Sequence, residues 1–192
     1  MTDRSDEPRS APHGLSDTDT ASVARQLGRE PRGAARVAHR CPCGEPDVVV
    51  TLPRLPDGTP FPTLYYLTCP RAAAAIGTLE SSGLMRRMEE RLVADSRSGA
   101  DSDSDAGLAA GYRQAHESYL RERAALGEVP EIAGISAGGM PDRVKCLHVL
   151  AAHALAAGPG VNPLGDEALA LLPEWWSPTS CADDARAEGG VA

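Results

Sequence analysis

Three β-rich runs crowd into one stretch of this chain: Ala34-Ala35-Arg36-Val37-Ala38-His39-Arg40, Asp47-Val48-Val49-Val50-Thr51-Leu52 and Thr63-Leu64-Tyr65-Tyr66-Leu67-Thr68. Clusters of Gly, Pro and Asp separate them, which is the punctuation of strands and turns. In the second link, Pro56-Asp57-Gly58-Thr59-Pro60 forms a turn for a stated reason: Pro presets φ and Gly accepts positive φ. Links this short predict an antiparallel meander of three strands.

Helical signals dominate the rest. Ser16 to Leu27 carries Asp17 and Asp19 early, Val23 and Leu27 at i,i+4, and Gly28 at its end, so a short amphipathic helix is predicted there. Pro70 suits a helix start, with Arg71 to Glu80 following it. A next helix runs from Ser82 or Gly83 to Ala94, with Leu84, Met88 and Leu92 on one face. Leu108 to Leu126 reads as a long helix ending at Gly127, Pro141 to Gly158 as another, and Asp166 to Leu172 as a short last one. Strands followed by helices make an α+β fold, a small three-stranded meander packed against several helices. The expected organisation is a disordered tail over 1–14, a single domain over 15–176 and a second tail over 177–192. Within the domain, 96–105 reads as an acidic, low-complexity loop.

Composition narrows the class. Aromatics are 4% of the residues and apolar residues 42%, so the core must rest on Leu, Val and Ala brought together by helices. A net charge of −8 argues against a duplex nucleic-acid binder, and none is expected as a partner. No apolar run approaches the ~18 residues that a membrane span needs, and the polar start Met1-Thr2-Asp3-Arg4-Ser5-Asp6-Glu7-Pro8 lacks the apolar centre of a signal peptide. The expectation is a cytoplasmic protein with no membrane partner. In that compartment the five cysteines are thiols or metal ligands rather than disulfides.

The stretch from Gly138-Gly139-Met140-Pro141-Asp142-Arg143-Val144-Lys145-Cys146-Leu147-His148 to His153 stands out because Lys145 is the only lysine, and Asn162, shortly after, the only asparagine. Two chemistries are expected around it. The first is a metal site drawn from Cys41, Cys43, Cys69, Cys146, His148 and His153, with His39 near by. Zinc is held by four Cys or His ligands, and Cys41-Pro42-Cys43-Gly44 resembles a metal knuckle one residue shorter than the usual spacing. In the meander, Cys69 ends the third strand near that turn, and Cys146 comes from the later helix. On the predicted helix Cys146 lies about 160° around the axis from His148, and some 10 Å along it from His153. The second chemistry is anion binding by Gly138, Gly139, Arg143, Lys145 and Asn162, through helix N-terminal amides and two cations. A catalytic pairing of Cys146 with a histidine is disfavoured by the same helical spacing, so no catalytic residue is assigned. Asp101-Ser102-Asp103-Ser104-Asp105 lacks the Gly at position six and the Glu at position twelve of a calcium loop.

Several strings resemble the bacterial domain-of-unknown-function 501 family: Arg40-Cys41-Pro42, Leu55-Pro56-Asp57-Gly58-Thr59-Pro60-Phe61-Pro62-Thr63-Leu64-Tyr65-Tyr66-Leu67-Thr68, Leu79-Glu80-Ser81-Ser82-Gly83-Leu84-Met85, the stretch Ser136 to His148, and Gly158-Pro159-Gly160-Val161-Asn162-Pro163. The resemblance covers about residues 18 to 176. It implies a bacterial protein with no established activity, encoded beside a septum-formation initiator and an exopolyphosphatase-type phosphatase. Three functions are therefore in view: a cytoplasmic Cys/His protein that holds zinc or another thiophilic metal, structurally or at an open site; a non-enzymatic adaptor whose protein partner belongs to cell division or polyphosphate metabolism; and a small enzyme acting on a phosphorylated ligand.

Overall fold

The computed structural model describes residues 14–98 and 107–184. Its elements are α1 (Asp17–Leu27), β1 (Ala34–Arg40), β2 (Pro46–Thr51), β3 (Tyr65–Leu67), α2 (Pro70–Ser81), α3 (Leu84–Ser98), α4 (Leu108–Ala124), α5 (Leu147–Ala157) and α6 (Pro163–Ala170). The fold is α+β, and the strands form one antiparallel sheet in the order β1-β2-β3, as the short links predict.

Every residue of β2 is buried, as a central strand covered on both faces requires. Its alternation divides the two sides. Val48 and Val50 enter the main core, where α5 lies across all three strands. Val49 and Thr51 point to the other face, where they line a cleft with Leu27 of α1 and Tyr66. Three tyrosines, Tyr65, Tyr112 and Tyr119, are buried in the core: Tyr65 lies edge-on to Tyr119 at 5.9 Å between ring centres and stacks on His153 at 5.5 Å.

Local signals set most helix starts. Ser16 caps α1 by accepting from the Asp19 amide at 3.1 Å. Asn162 caps α6 the same way, its Oδ1 accepting from the Gly165 amide at 3.0 Å. That cap moves the last helix upstream of the expected Asp166 start. Gly165 sits where α6 crosses α5, and a Cβ there would stand 2.3 Å from the Leu150 carbonyl oxygen.

Two segments depart from expectation. The helix predicted from Pro141 begins only at Leu147. Before it, the Arg143 amide donates to Gly139 and the Lys145 amide to Gly138, both at 2.8 Å, so the chain coils into a turn instead of a helix. Gly138 and Gly139 hold φ of 77° and 95° there, and a Cβ on Gly139 would meet the Arg143 carbonyl oxygen at 2.8 Å, so the turn needs glycine. The second departure is at the C-terminus. Residues 177–184, expected as tail, are tied to the domain through Arg71 of α2, which donates to Ser177, Thr179 and Asp184. Cys181 and Ala182 in that segment are fully buried. Likewise α3 continues to Ser98, into the expected acidic loop; residues 99–106, like those of the tails 1–13 and 185–192, lie outside the described residues.

Candidate functional site

The cysteines and histidines fall into two separate groups. The first gathers Cys41, Cys69 and Cys181, whose sulfur atoms all lie within 4.8 Å of one another. Cys43 joins them, its Sγ 3.6 Å from that of Cys181. Each thiol is set by a different local device. Cys41 and Cys43 occupy the turn between β1 and β2, closed by the Gly44 amide donating to the Cys41 carbonyl at 2.8 Å and the Cys41 amide to Glu45 at 2.9 Å. Cys69 stands at the N-cap of α2 without a side-chain cap hydrogen bond, and the nearby amides of Ala72 and Arg71 favour its thiolate. Cys181 arrives with the C-terminal segment, anchored by Ser180 donating to Glu45 at 2.6 Å.

Gln26 and Arg71 flank this cluster. Gln26 of α1 donates to the Cys181 sulfur at 3.2 Å and to the Pro46 carbonyl at 2.7 Å, and the Arg71 guanidinium senses Cys181 and Cys43. Burial pushes the Cys41 thiol up to about 12. Cys69 is held below its ordinary value by the hydrogen bond from Cys181, whose own thiol is pushed well above it by the same contact and by burial.

The second group is Glu80, Cys146 and His148, with ligand atoms also within 4.8 Å of one another. Glu80 lies in the last turn of α2, Cys146 is the residue just before α5, and His148 is in its first turn. The His148 Nδ1 is 3.2 Å from Glu80 Oε1 and 3.9 Å from Cys146 Sγ. Its Nε2 is 3.1 Å from the Ala73 carbonyl oxygen and donates to it. Glu80 Oε1 also accepts from the Leu147 amide at 2.6 Å. The neighbouring Cys146 sulfur, and then Glu80, hold the His148 imidazolium up to about 9 against burial. The pairing of Cys146 with His148, disfavoured on helical spacing, is present because Cys146 is extended, at φ −158° and ψ 112°, rather than helical.

The expected six-residue metal set is therefore divided: Cys41, Cys43 and Cys69 are in the first group, Cys146 and His148 in the second. His153 joins neither. It is fully buried between Tyr65 and Tyr119, accepts from Asn162 Nδ2 at 3.2 Å, and burial lowers it to about 4. His39 is paired instead with Asp47 at 2.8 Å. Sequence reasoning missed Cys181, Glu80 and Gln26. The signal for Cys181 was its status as the fifth cysteine in a chain whose other four were already assigned.

The anion-binding set is dispersed as well. The carbonyls of Gly138 and Gly139 accept from the amides of Lys145 and Arg143, Arg143 pairs with Glu89 at 2.6 Å, and Asn162 is spent on α6 and His153. The Lys145 side chain is left exposed.

A family described as "Protein of unknown function (DUF501)" matches residues 37–170. No curated protein and no solved structure matches the chain.

Proposed function

The chain belongs to the DUF501 family, and we propose that it is a zinc protein whose Cys41, Cys43, Cys69 and Cys181 hold one ion in a closed, structural centre. The observation that carries this reading is the convergence of four thiols from separate parts of the chain: the β1–β2 turn, the α2 N-cap and the C-terminal segment. A single buried cysteine is an ordinary small apolar residue. Three sulfurs within 4.8 Å of one another, with a fourth against one of them, are not, because thiols are weak donors and their sulfurs repel when ionised.

A tetrahedral zinc with bonds of about 2.3 Å sets its sulfur atoms about 3.8 Å apart. The 3.6 Å separation of Cys43 and Cys181 fits that edge. The side chain of Gln26, donating to the Cys181 sulfur, is an outer donor of the kind thiolate ligands ordinarily have. Cys41, Cys69 and Cys181 are 2%, 0% and 0% exposed, so four sulfurs fill the coordination sphere and leave no position for substrate. The ion's role is mechanical. It fastens the C-terminal segment, which has little apolar surface of its own, across the sheet edge and α2.

Elemental analysis of the untagged full-length protein, beside Cys181→Ser, tests this. One equivalent of zinc present in the wild type and lost in the variant is the expected result. Equal zinc in both proteins, or a Cys43–Cys181 disulfide in the intact mass under non-oxidising preparation, contradicts it.

A further inference from the structure

The geometry points to a second metal site, open to solvent, formed by Glu80, Cys146 and His148. It shares no residue with the four-thiol centre and does not depend on it.

The argument begins with the ring of His148. Its Nε2–H is committed to the Ala73 carbonyl at 3.1 Å, which fixes the ring plane and turns Nδ1 toward Glu80 and Cys146. A backbone carbonyl taking the far N–H is the usual outer partner of a metal-bound histidine. Glu80 is fixed in the same manner: Oε1 is held by the Leu147 amide at 2.6 Å while pointing at the ring. Cys146 completes the triangle because the chain is still extended one residue before α5.

The triangle has the dimensions of a coordination face. Zinc–nitrogen and zinc–oxygen bonds of about 2.0–2.2 Å with a zinc–sulfur bond of about 2.3 Å give ligand separations near 3.5 Å. The measured 3.2 Å from nitrogen to oxygen and 3.9 Å from nitrogen to sulfur bracket that value. One sulfur, one nitrogen and one oxygen select a borderline cation such as zinc or cobalt(II) over calcium or magnesium.

Among the described residues only these three side chains converge there, and the site is half-exposed: the His148 and Glu80 side chains retain 32% and 23% of their accessible surface. The fourth position of a tetrahedral ion is thus left to water or an incoming anion, the arrangement of exchangeable rather than structural zinc. Glu80 also lines a groove of about 710 Å³, in which Arg86 and Arg143 are paired with Glu90 and Glu89.

The test uses cobalt(II) as the probe. Full-length untagged protein produced in cobalt-supplemented minimal medium is dialysed against cobalt(II), and its bound metal is counted and its absorption recorded. The same is done for Cys146→Ser, His148→Gln and Cys181→Ser, with circular dichroism confirming that each is folded. Sulfur-to-cobalt charge-transfer intensity rises with the number of thiolates, so the two sites are spectroscopically distinct. One equivalent carrying a single-thiolate spectrum, absent from both Cys146→Ser and His148→Gln but retained in Cys181→Ser, is expected. The inference is overturned if the wild type shows no single-thiolate equivalent, or if Cys146→Ser and His148→Gln bind as much cobalt as the wild type. A wild type holding only the single-thiolate equivalent would sink the four-thiol reading and leave this one standing.

Discussion

The two clusters use overlapping donor chemistry and differ in how the fold encloses them. The four-thiol cluster draws on points as far apart in sequence as Cys41 and Cys181, with Cys41, Cys69 and Cys181 buried and Cys43 half-buried. The Glu80–Cys146–His148 cluster is built where the end of α2 meets the start of α5, and it stays partly in solvent. Enclosure by distant segments makes a metal part of the fold, because the site cannot exist before those segments have met. Assembly at two neighbouring helix ends makes it an accessory that the fold can do without. The contrast teaches that ligand identity alone says little about role; what closes the fourth position says more.

The strongest way to break that comparison is to remove one ligand from each. Cys181→Ser, which empties the closed centre, is expected to cost about 4 kcal/mol, the stabilisation that a ligand at a thousand times its Kd supplies. That corresponds to a loss of roughly 10 °C in Tm for a domain of this size. Cys146→Ser is expected to move Tm by less than about 3 °C. Equal shifts in the two variants, followed by differential scanning calorimetry, would remove the distinction.

His153 sharpens the comparison as a buried histidine outside both clusters. Its folded-state value of about 4 lies below the ordinary value of 6.5, so the unfolded chain takes the proton first as pH falls. Its contribution is complete above pH 6.5 and is lost between 6.5 and 4, up to about 3 kcal/mol. Urea unfolding of metal-free protein at pH 7 and pH 5 should show this loss in the wild type and a smaller one in His153→Phe. A variant with an unchanged pH dependence contradicts the assignment.

Asn162→Ala removes the cap of α6 and the donor to His153 together. A loss of about 2 kcal/mol is expected in denaturant titrations, with the metal content of both sites unchanged. The smallest expected effect is that of Arg71→Ala, about 1 kcal/mol, because its bonds to Ser177, Thr179 and Asp184 are partly solvated. Its informative readout is kinetic: a chelator should strip the four-thiol centre faster than in the wild type, with the open site unaffected. Equal stripping rates would mean that Arg71 does not hold the C-terminal segment over the centre.

What the sequence revealed followed local rules. The meander is written in three β-rich runs and short Gly/Pro links, and α1 in Ser16, Asp19 and Gly28, each acting within a few residues of itself. Pro141 misleads because the local helix-start signal competes with a glycine turn whose hydrogen bonds run from residues 143 and 145 back to 139 and 138. That one displacement also hid the second cluster. Projected on a helix, Cys146 and His148 face opposite ways; with Cys146 extended, they are 3.9 Å apart. Cys181 was illegible for another reason. It follows Ser177, Pro178, Thr179 and Ser180, a run with no periodic apolar pattern. Contacts with Arg71, Glu45 and Gln26, all distant in sequence, hold this segment in place.

The most direct test of the central claim is zinc X-ray absorption on the Cys146→Ser protein, in which the proposed closed centre would be the one left to hold zinc. The account predicts four sulfur scatterers at about 2.3 Å and no nitrogen or oxygen in the first shell. A first shell of mixed sulfur and lighter atoms, or a protein that carries no zinc, would contradict it.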